Sequence, residues 1–252
     1  MTGHSHPRRV YIYIPSSRVL LNFYSDQMAA TNETVLTKIA EAFNELADDV
    51  NSCIAEAFNE LADDVNSCST PPRLSLSKFC SACRLLSPLI GCLGIAFRFA
   101  DMEFSAKVDG LAKASESIDT IEALIDLDIA HNAGRDSGSN SRNLIRANRS
   151  VDLVRIIFEQ ILAQSGNGIT DPVLTAYEQV FGPYHSLAMK TAVRALALTV
   201  PTKARLWRKL NENEASGSVQ MQKFVIASSA VIQHINNLFH STEYGDELLG
   251  MI

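Results

Sequence analysis

SRNLIRANRSVDLVRIIFEQILAQ, residues 141–164, decides how this chain folds. From Val151 to Leu162 the side chains are mostly apolar, and Arg142 and Arg146 stand one helical turn apart just ahead of them. The spacing predicts a helix from about Arg142 to Gln164 that lies deep in the fold and carries two guanidinium groups near its start. A guanidinium is permanently charged and donates hydrogen bonds from a planar fork, so a neighbouring pair grips a phosphate better than two lysines would. Two arginines at helical spacing are also common as a solvated helix end, and the spacing alone does not separate the two readings.

Working outward, the chain punctuates as an all-α protein. It has 252 residues, 46% of them hydrophobic, enough for one large domain with a substantial core. Its 12 Gly and 8 Pro fall mostly between stretches of helical periodicity. Val35, Ile39, Phe43, Leu46 and Val50 mark the face of a first helix. Pro71 and Pro72 interrupt the chain, and helical patterning resumes near Leu76. The longest apolar run, Leu85 to Phe97, is too short for a membrane span and suits a core helix. Further helices are expected over Ala100 to Ser115 and Ser117 to His131, before a Gly/Ser/Asn-rich loop from Gly134 to Ser141. Beyond the arginine helix, Asp171 and Pro172 suit an N-cap and first turn. Pro183 and Pro201 mark two later boundaries, and Met221, Phe224, Val225, Ser228, Ile232, Ile235 and Phe239 outline a long final helix. The sum is about eight helices.

Two features stand apart. Residues 39–53, IAEAFNELADDVNSC, recur without one difference at 54–68. Two identical copies do not make a solenoid, which needs three or more diverged repeats, so a recent duplication or an error in the assembled gene is the better reading. Residues 1–27 carry Arg8, Arg9 and Arg18 with no acid before Asp26, faintly like an organelle transit peptide, and are expected to be disordered or absent from the mature protein. The organisation is therefore an N-terminal extension (1–27), a first-helix region holding the duplication (28–70), the remainder of the domain (71–245) and a tail (246–252).

The net charge of −6 argues against general nucleic-acid binding, but one repeat copy carries two Glu and two Asp, so without it the charge is −2. Five cysteines without a secretory signal fit a reduced, cytosolic compartment. Cys80 and Cys83 form a lone CxxC with no second ligand pair, which reads as buried helical cysteines rather than a metal site. No nucleophile elbow, P-loop, dinucleotide fingerprint or metal-ligand pattern occurs, so nothing supports catalysis, and no cofactor is expected. Glu103 and Lys107 share a helix face at four-residue spacing, which is ordinarily a surface ion pair. His185 opens an apolar segment ending at Val200, where a lone histidine is most often a hydrogen-bonded core residue.

Three ordered stretches then carry a resemblance: SPLIGCLGIAFRFADMEFSAKVDGL (87–111), SRNLIRANRSVDLV (141–154) and YEQVFGPYHSLAMKTAV (177–193), followed by LTVPTKARL (198–206). The chain resembles the glycolipid transfer proteins, in particular the plant accelerated-cell-death type that handles ceramide-1-phosphate and regulates programmed cell death. The resemblance runs from about Ser75 to Ser241, plus one copy of the repeated helix. It implies a two-layer sandwich of eight helices enclosing lipid chains, with a head-group site on its surface. It further implies that Lys107, Arg142 and Arg146 bind the phosphate, that Glu103 accepts from the ceramide amide N–H, and that His185 donates to the amide carbonyl.

The chain departs from the family pattern twice. The family carboxylate is typically Asp, which leaves nearby Asp101 as a substitute for Glu103; the preserved spacing to Lys107 favours Glu103. Many members also have a docking Trp two residues after the histidine, where Leu187 stands here. Trp207, flanked by Lys203, Arg205, Arg208 and Lys209, is a candidate for that membrane role, the alternative being a partly buried Trp on a solvated basic helix. Glycolipid-binding members place a sugar-stacking Trp where Arg146 stands, so the head group implied is a phosphate.

The expected function is non-enzymatic transfer of ceramide-1-phosphate or a related phosphosphingolipid between membranes, by a monomeric cytosolic protein that docks transiently. The alternatives are a lipid-sensing protein that signals through a protein partner and a carrier of a neutral glycosphingolipid.

Overall fold

The computed structural model describes residues 34–46, 73–94, 97–243 and 245–251. Residues 1–27 and the second repeat copy lie outside them, as do Val50 and the junction of the two copies. A first helix, α1, covers residues 35–46, with Ile39, Phe43 and Leu46 buried as their spacing predicts. Ten further α-helices follow among the described residues: α2 (Leu76–Arg84), α3 (Leu86–Cys92), α4 (Arg98–Ala114), α5 (Ile121–Ala130), α6 (Asn140–Ala163), α7 (Thr170–Val180), α8 (Leu187–Ala197), α9 (Lys203–Leu210), α10 (Glu214–His240) and α11 (Gly245–Gly250). The pairing is almost entirely helix on helix, with one isolated bridge between Ser75 and Thr120.

The quoted stretch is the hub. Leu144, Ala147, Val151, Val154, Phe158 and Ile161 recur three or four apart, are buried, and give α6 its core stripe. The helix packs against α4, α5, α7, α10 and α11. Phe158 meets Phe224 of α10 edge-on with ring centroids 5.4 Å apart, and Phe43 of α1 meets the same ring at 4.9 Å. Three helices therefore converge on one aromatic cluster, where truncation of a ring to Ala costs about 3–5 kcal/mol.

Several boundaries move for local reasons. The apolar run from Leu85 forms only the short helix α3, because Gly94 takes the left-handed conformation at φ 119° and turns the chain. Helix α5 starts at Ile121, not Ser117, since Leu74 and Leu76 pair their backbones with Ile121 and Asp119, and Thr120 caps the helix. Asp171 and Pro172 lie inside the first turn of α7, with Ile169 at the cap position. Residues 246–252, expected as a tail, contain most of α11, which packs on α10 and α6.

Cys80 and Cys83 are buried in α2, and burial pushes the Cys80 thiol up to about 11. Among the described residues no helix is long and apolar enough to cross a membrane.

A candidate head-group site between α4 and α6

The start of α6 is held firmly. Ser139 caps it by accepting from the Arg142 N–H, and its own hydroxyl donates to the Gly134 carbonyl. Asp128 at the end of α5, itself buried, accepts from the Ser141 N–H at 2.7 Å. Four orphan amides at a helix start need such partners, and an anionic acceptor there is favoured by the helix dipole. These anchors fix the turn that carries Arg142, whose Nη1 also reaches the Arg135 carbonyl at 3.4 Å.

Opposite lies the stripe of α4 formed by Glu103, Lys107 and Gly110. A Cβ on Gly110 would sit 3.2 Å from Nδ2 of Asn143, so the two helices cross closely there and glycine is what the crossing tolerates. Lys107 Nζ lies 3.7 Å from Glu103 Oε2. Arg146 is half-buried and its guanidinium pKa is lowered, first by burial and then by the neighbouring charge of Arg142, while Glu103 acts in the opposite direction. Glu103, Arg142 and Arg146 therefore share one field. The two arginines repel each other in a partly dry place, an arrangement that an incoming anion relieves.

Asp101 is placed differently. Its Oδ1 accepts from Ser87 of α3 at 2.6 Å, and burial raises its carboxyl pKa against the lowering effects of Ser87 and Arg98. Glu103, not Asp101, is the carboxylate on the arginine side of α4.

His185 follows the 3-10 turn Gly182–Tyr184. Its Nδ1 is 2.8 Å from the Tyr177 hydroxyl, and Phe181 stacks on the imidazole with an interplanar angle of 16°. Burial, then Lys190, lowers its pKa, so the ring is neutral near pH 7. When the Tyr177 O–H donates to Nδ1, the ring proton is fixed on Nε2, and Nε2–H becomes a donor. The preceding residue ties this turn to α6, because the Tyr184 ring lies under Arg149 with the guanidinium carbon 4.2 Å from its centroid.

The membrane role expected of Trp207 and Lys203 is corrected by their burial. Trp207 is 5% exposed and Lys203 8%. Lys203 Nζ pairs with Glu214 at 2.8 Å, and a Cβ added to Gly217 would collide with the indole. The indole is thus a packing element between α9 and α10, and of the cations flanking it Arg205, Arg208 and Lys209 stand exposed. Apolar side chains face solvent on α8, which buries Ala197 alone: Leu187 and, just past the helix end, Leu198 are each 76% exposed, and Met189 and Leu196 are exposed too; Phe99 and Met102 of α4 and Val219 and Ile226 of α10 are also exposed. Lys190, Thr191 and Arg194 share one side of α8, which reads in the sequence as an ordinary amphipathic helix, so periodicity did not reveal that its apolar side would be left uncovered.

Comparison with known proteins places the fold in a family. Residues 74–212 match the glycolipid transfer protein (GLTP) family model. The chain is 44% identical over 211 residues to Accelerated cell death 11 of Arabidopsis thaliana, covering 83% of this chain and 94% of that protein. A mutant of the same Arabidopsis protein, crystallised in complex with C12 ceramide-1-phosphate, superposes with a TM-score of 0.74 at 40% identity, covering 84% of this chain and 98% of the other. Human ceramide-1-phosphate transfer protein in complex with 12:0 ceramide-1-phosphate matches in fold at 15% identity and a TM-score of 0.64, over 83% of this chain and 98% of that one. The fold is the all-α two-layer sandwich that the sequence implied, with eleven α-helices among the described residues, α1 included, against about eight expected. By the family match over residues 74–212 and by its identity to the Arabidopsis protein, the chain belongs to the glycolipid transfer protein family.

Proposed function

We propose that this protein binds ceramide-1-phosphate or a related phosphosphingolipid and carries it between membranes without any covalent step. The observation that carries the reading is the crowding of Arg142 and Arg146 beside Glu103, which in turn pairs with Lys107. Three cations at one half-buried place complement a phosphomonoester, and a neutral hexose offers them no counter-charge. In the proposed complex Arg142, Arg146 and Lys107 hold the phosphate. Glu103 accepts from the ceramide amide N–H, and the Nε2–H of His185 donates to its carbonyl. The acyl and sphingoid chains then leave water at about 0.8 kcal/mol per buried methylene, so chain burial supplies affinity and the polar cluster supplies selection.

Membrane docking belongs, in this proposal, to the uncovered apolar residues of α8, Leu187 and Met189 first, with Arg208 contributing an attraction for anionic lipid. The working compartment is the cytosol, with peripheral and transient attachment to membranes. The test is transfer of fluorescent ceramide-1-phosphate between two vesicle populations. Uptake that is not followed by delivery to the second population would remove the carrier reading and leave a sensor.

A further inference from the structure

Helix α6 carries a third arginine on the same side, and it is turned to a different use. Arg149, one turn beyond Arg146, donates from Nη1 to the Met251 carbonyl at 2.7 Å and from Nη2 to the Leu249 carbonyl. These carbonyls lie at the C-terminal end of α11, where backbone acceptors lack helical partners and a cation is favoured by the dipole. The same guanidinium covers the Tyr184 ring, and the Tyr184 hydroxyl donates to the Leu249 carbonyl at 3.3 Å. A second tie lies at the other end of the segment: Arg135 grips Glu247 in a two-pronged pair, Nε to Oε1 at 3.0 Å and Nη2 to Oε2 at 2.6 Å. Leu248 is buried between them, against Gly134.

Each tie ends one step from a head-group residue. Arg149 is one helical turn from Arg146 and feels its charge. Tyr184 precedes His185. The Arg135 carbonyl accepts from Arg142 Nη1. Residues 245–251 are therefore fastened, through three separate side chains, to the two arginines and the imidazole of the proposed site. An arginine spent on carbonyls and an aromatic face does not compete for the ligand, but it fixes what surrounds it.

We propose that Arg149 is a positioning residue of the head-group site: it clasps residues 245–251 against Tyr184, and that clasp holds Arg142, Arg146 and His185 in register for the phosphosphingolipid. The proposal rests on the ligand assignment above and adds a part of the chain to the site. Because the clasp and the ligand engage the same helix, they are coupled reciprocally: loss of the clasp weakens binding, and binding tightens the clasp.

The experiment uses the full chain and phosphatidylcholine vesicles containing ceramide-1-phosphate. Binding is measured for wild type, Arg149→Gln, Arg149→Lys and Glu247→Gln, with melting temperature and amide hydrogen exchange of residues 245–251 followed in each. The expected result is slower exchange of 245–251 in wild type when the lipid is bound. Arg149→Gln should raise that exchange and weaken binding about tenfold, and Glu247→Gln about threefold, both within the range of ordinary coupling energies. Arg149→Lys, which keeps the charge but serves one carbonyl at a time, should fall between wild type and Gln. Glu247 is a surface residue whose change leaves folding intact, so it decides the matter if Arg149→Gln does not fold. Clasp variants that free 245–251 yet bind within twofold of wild type would overturn the clasp and spare the ligand assignment. A wild-type protein that takes up no ceramide-1-phosphate would overturn both.

Discussion

Replacing Arg146 by Leu separates the site's chemistry from the fold's stability. Arg146 is half-buried on α6, and both burial and Arg142 disfavour its charge. In the complex it would make a charge-assisted contact to phosphate worth about 1.5–3 kcal/mol, which is roughly 10- to 150-fold in affinity. The free protein, in contrast, loses a repulsion when Arg146 goes, and a leucine at a half-buried helical position adds apolar contact. The variant should therefore melt at the wild-type temperature or above it while transfer of ceramide-1-phosphate between vesicles falls to a few per cent. Such opposition between stability and function marks a residue kept for a ligand. Arg146→Lys, with charge but no fork, should retain an intermediate rate. If Arg146→Leu transfers at half the wild-type rate or more, the phosphate role is wrong; if it loses transfer only by unfolding, the reasoning about repulsion is wrong.

Four further outcomes follow from particular contacts. Glu103→Ala should weaken uptake of ceramide-1-phosphate at least tenfold and Asp101→Asn less than threefold, because only Glu103 faces the arginines; the reverse order in a binding titration would reassign the amide acceptor. His185 should titrate below its ordinary 6.5 by NMR, with the proton on Nε2 when neutral. Since the unfolded chain takes up that proton first, its contribution to stability is complete above about pH 6.5 and is lost as pH falls through the folded value; a histidine titrating above 6.5 contradicts this. Trp207→Ala should cost about 3–5 kcal/mol in urea unfolding and Gly217→Ala about 1–3, the latter because its Cβ meets the indole, whereas Leu187→Asp should leave unfolding unchanged and reduce vesicle binding. Unimpaired stability of Trp207→Ala would return the indole to the surface.

The fold was legible wherever one helix face met the core. The stripes of α1 and α10 followed the three-to-four spacing: Ile39, Phe43 and Leu46 are buried, as are Met221, Phe224, Ser228, Ile232, Ile235 and Phe239. Legibility failed where long-range contacts overrode local signals. The run from Leu85 reads as one apolar helix, yet a single left-handed Gly94 ends it. Trp207 beside four cations looks interfacial, but the absence of a side chain at Gly217, ten residues later, makes the pocket that buries it. The site followed the same rule. Arg142, Arg146, Glu103 and Lys107 were found from spacing and resemblance, since helical neighbours are sequence neighbours. Arg149 was passed over because its partners, the carbonyls of Leu249 and Met251, carry no side-chain signature and lie about a hundred residues away.

The most direct test of the account is a paired transfer measurement, with ceramide-1-phosphate and glucosylceramide offered in otherwise identical donor vesicles to the same protein. The arginine pair and Lys107 predict rapid delivery of ceramide-1-phosphate and at least a hundredfold slower delivery of glucosylceramide, the discrimination expected when two or more charge-assisted contacts have no partner. Equal rates for the two lipids, or faster glucosylceramide, would contradict the assignment of Arg142 and Arg146 to a phosphate.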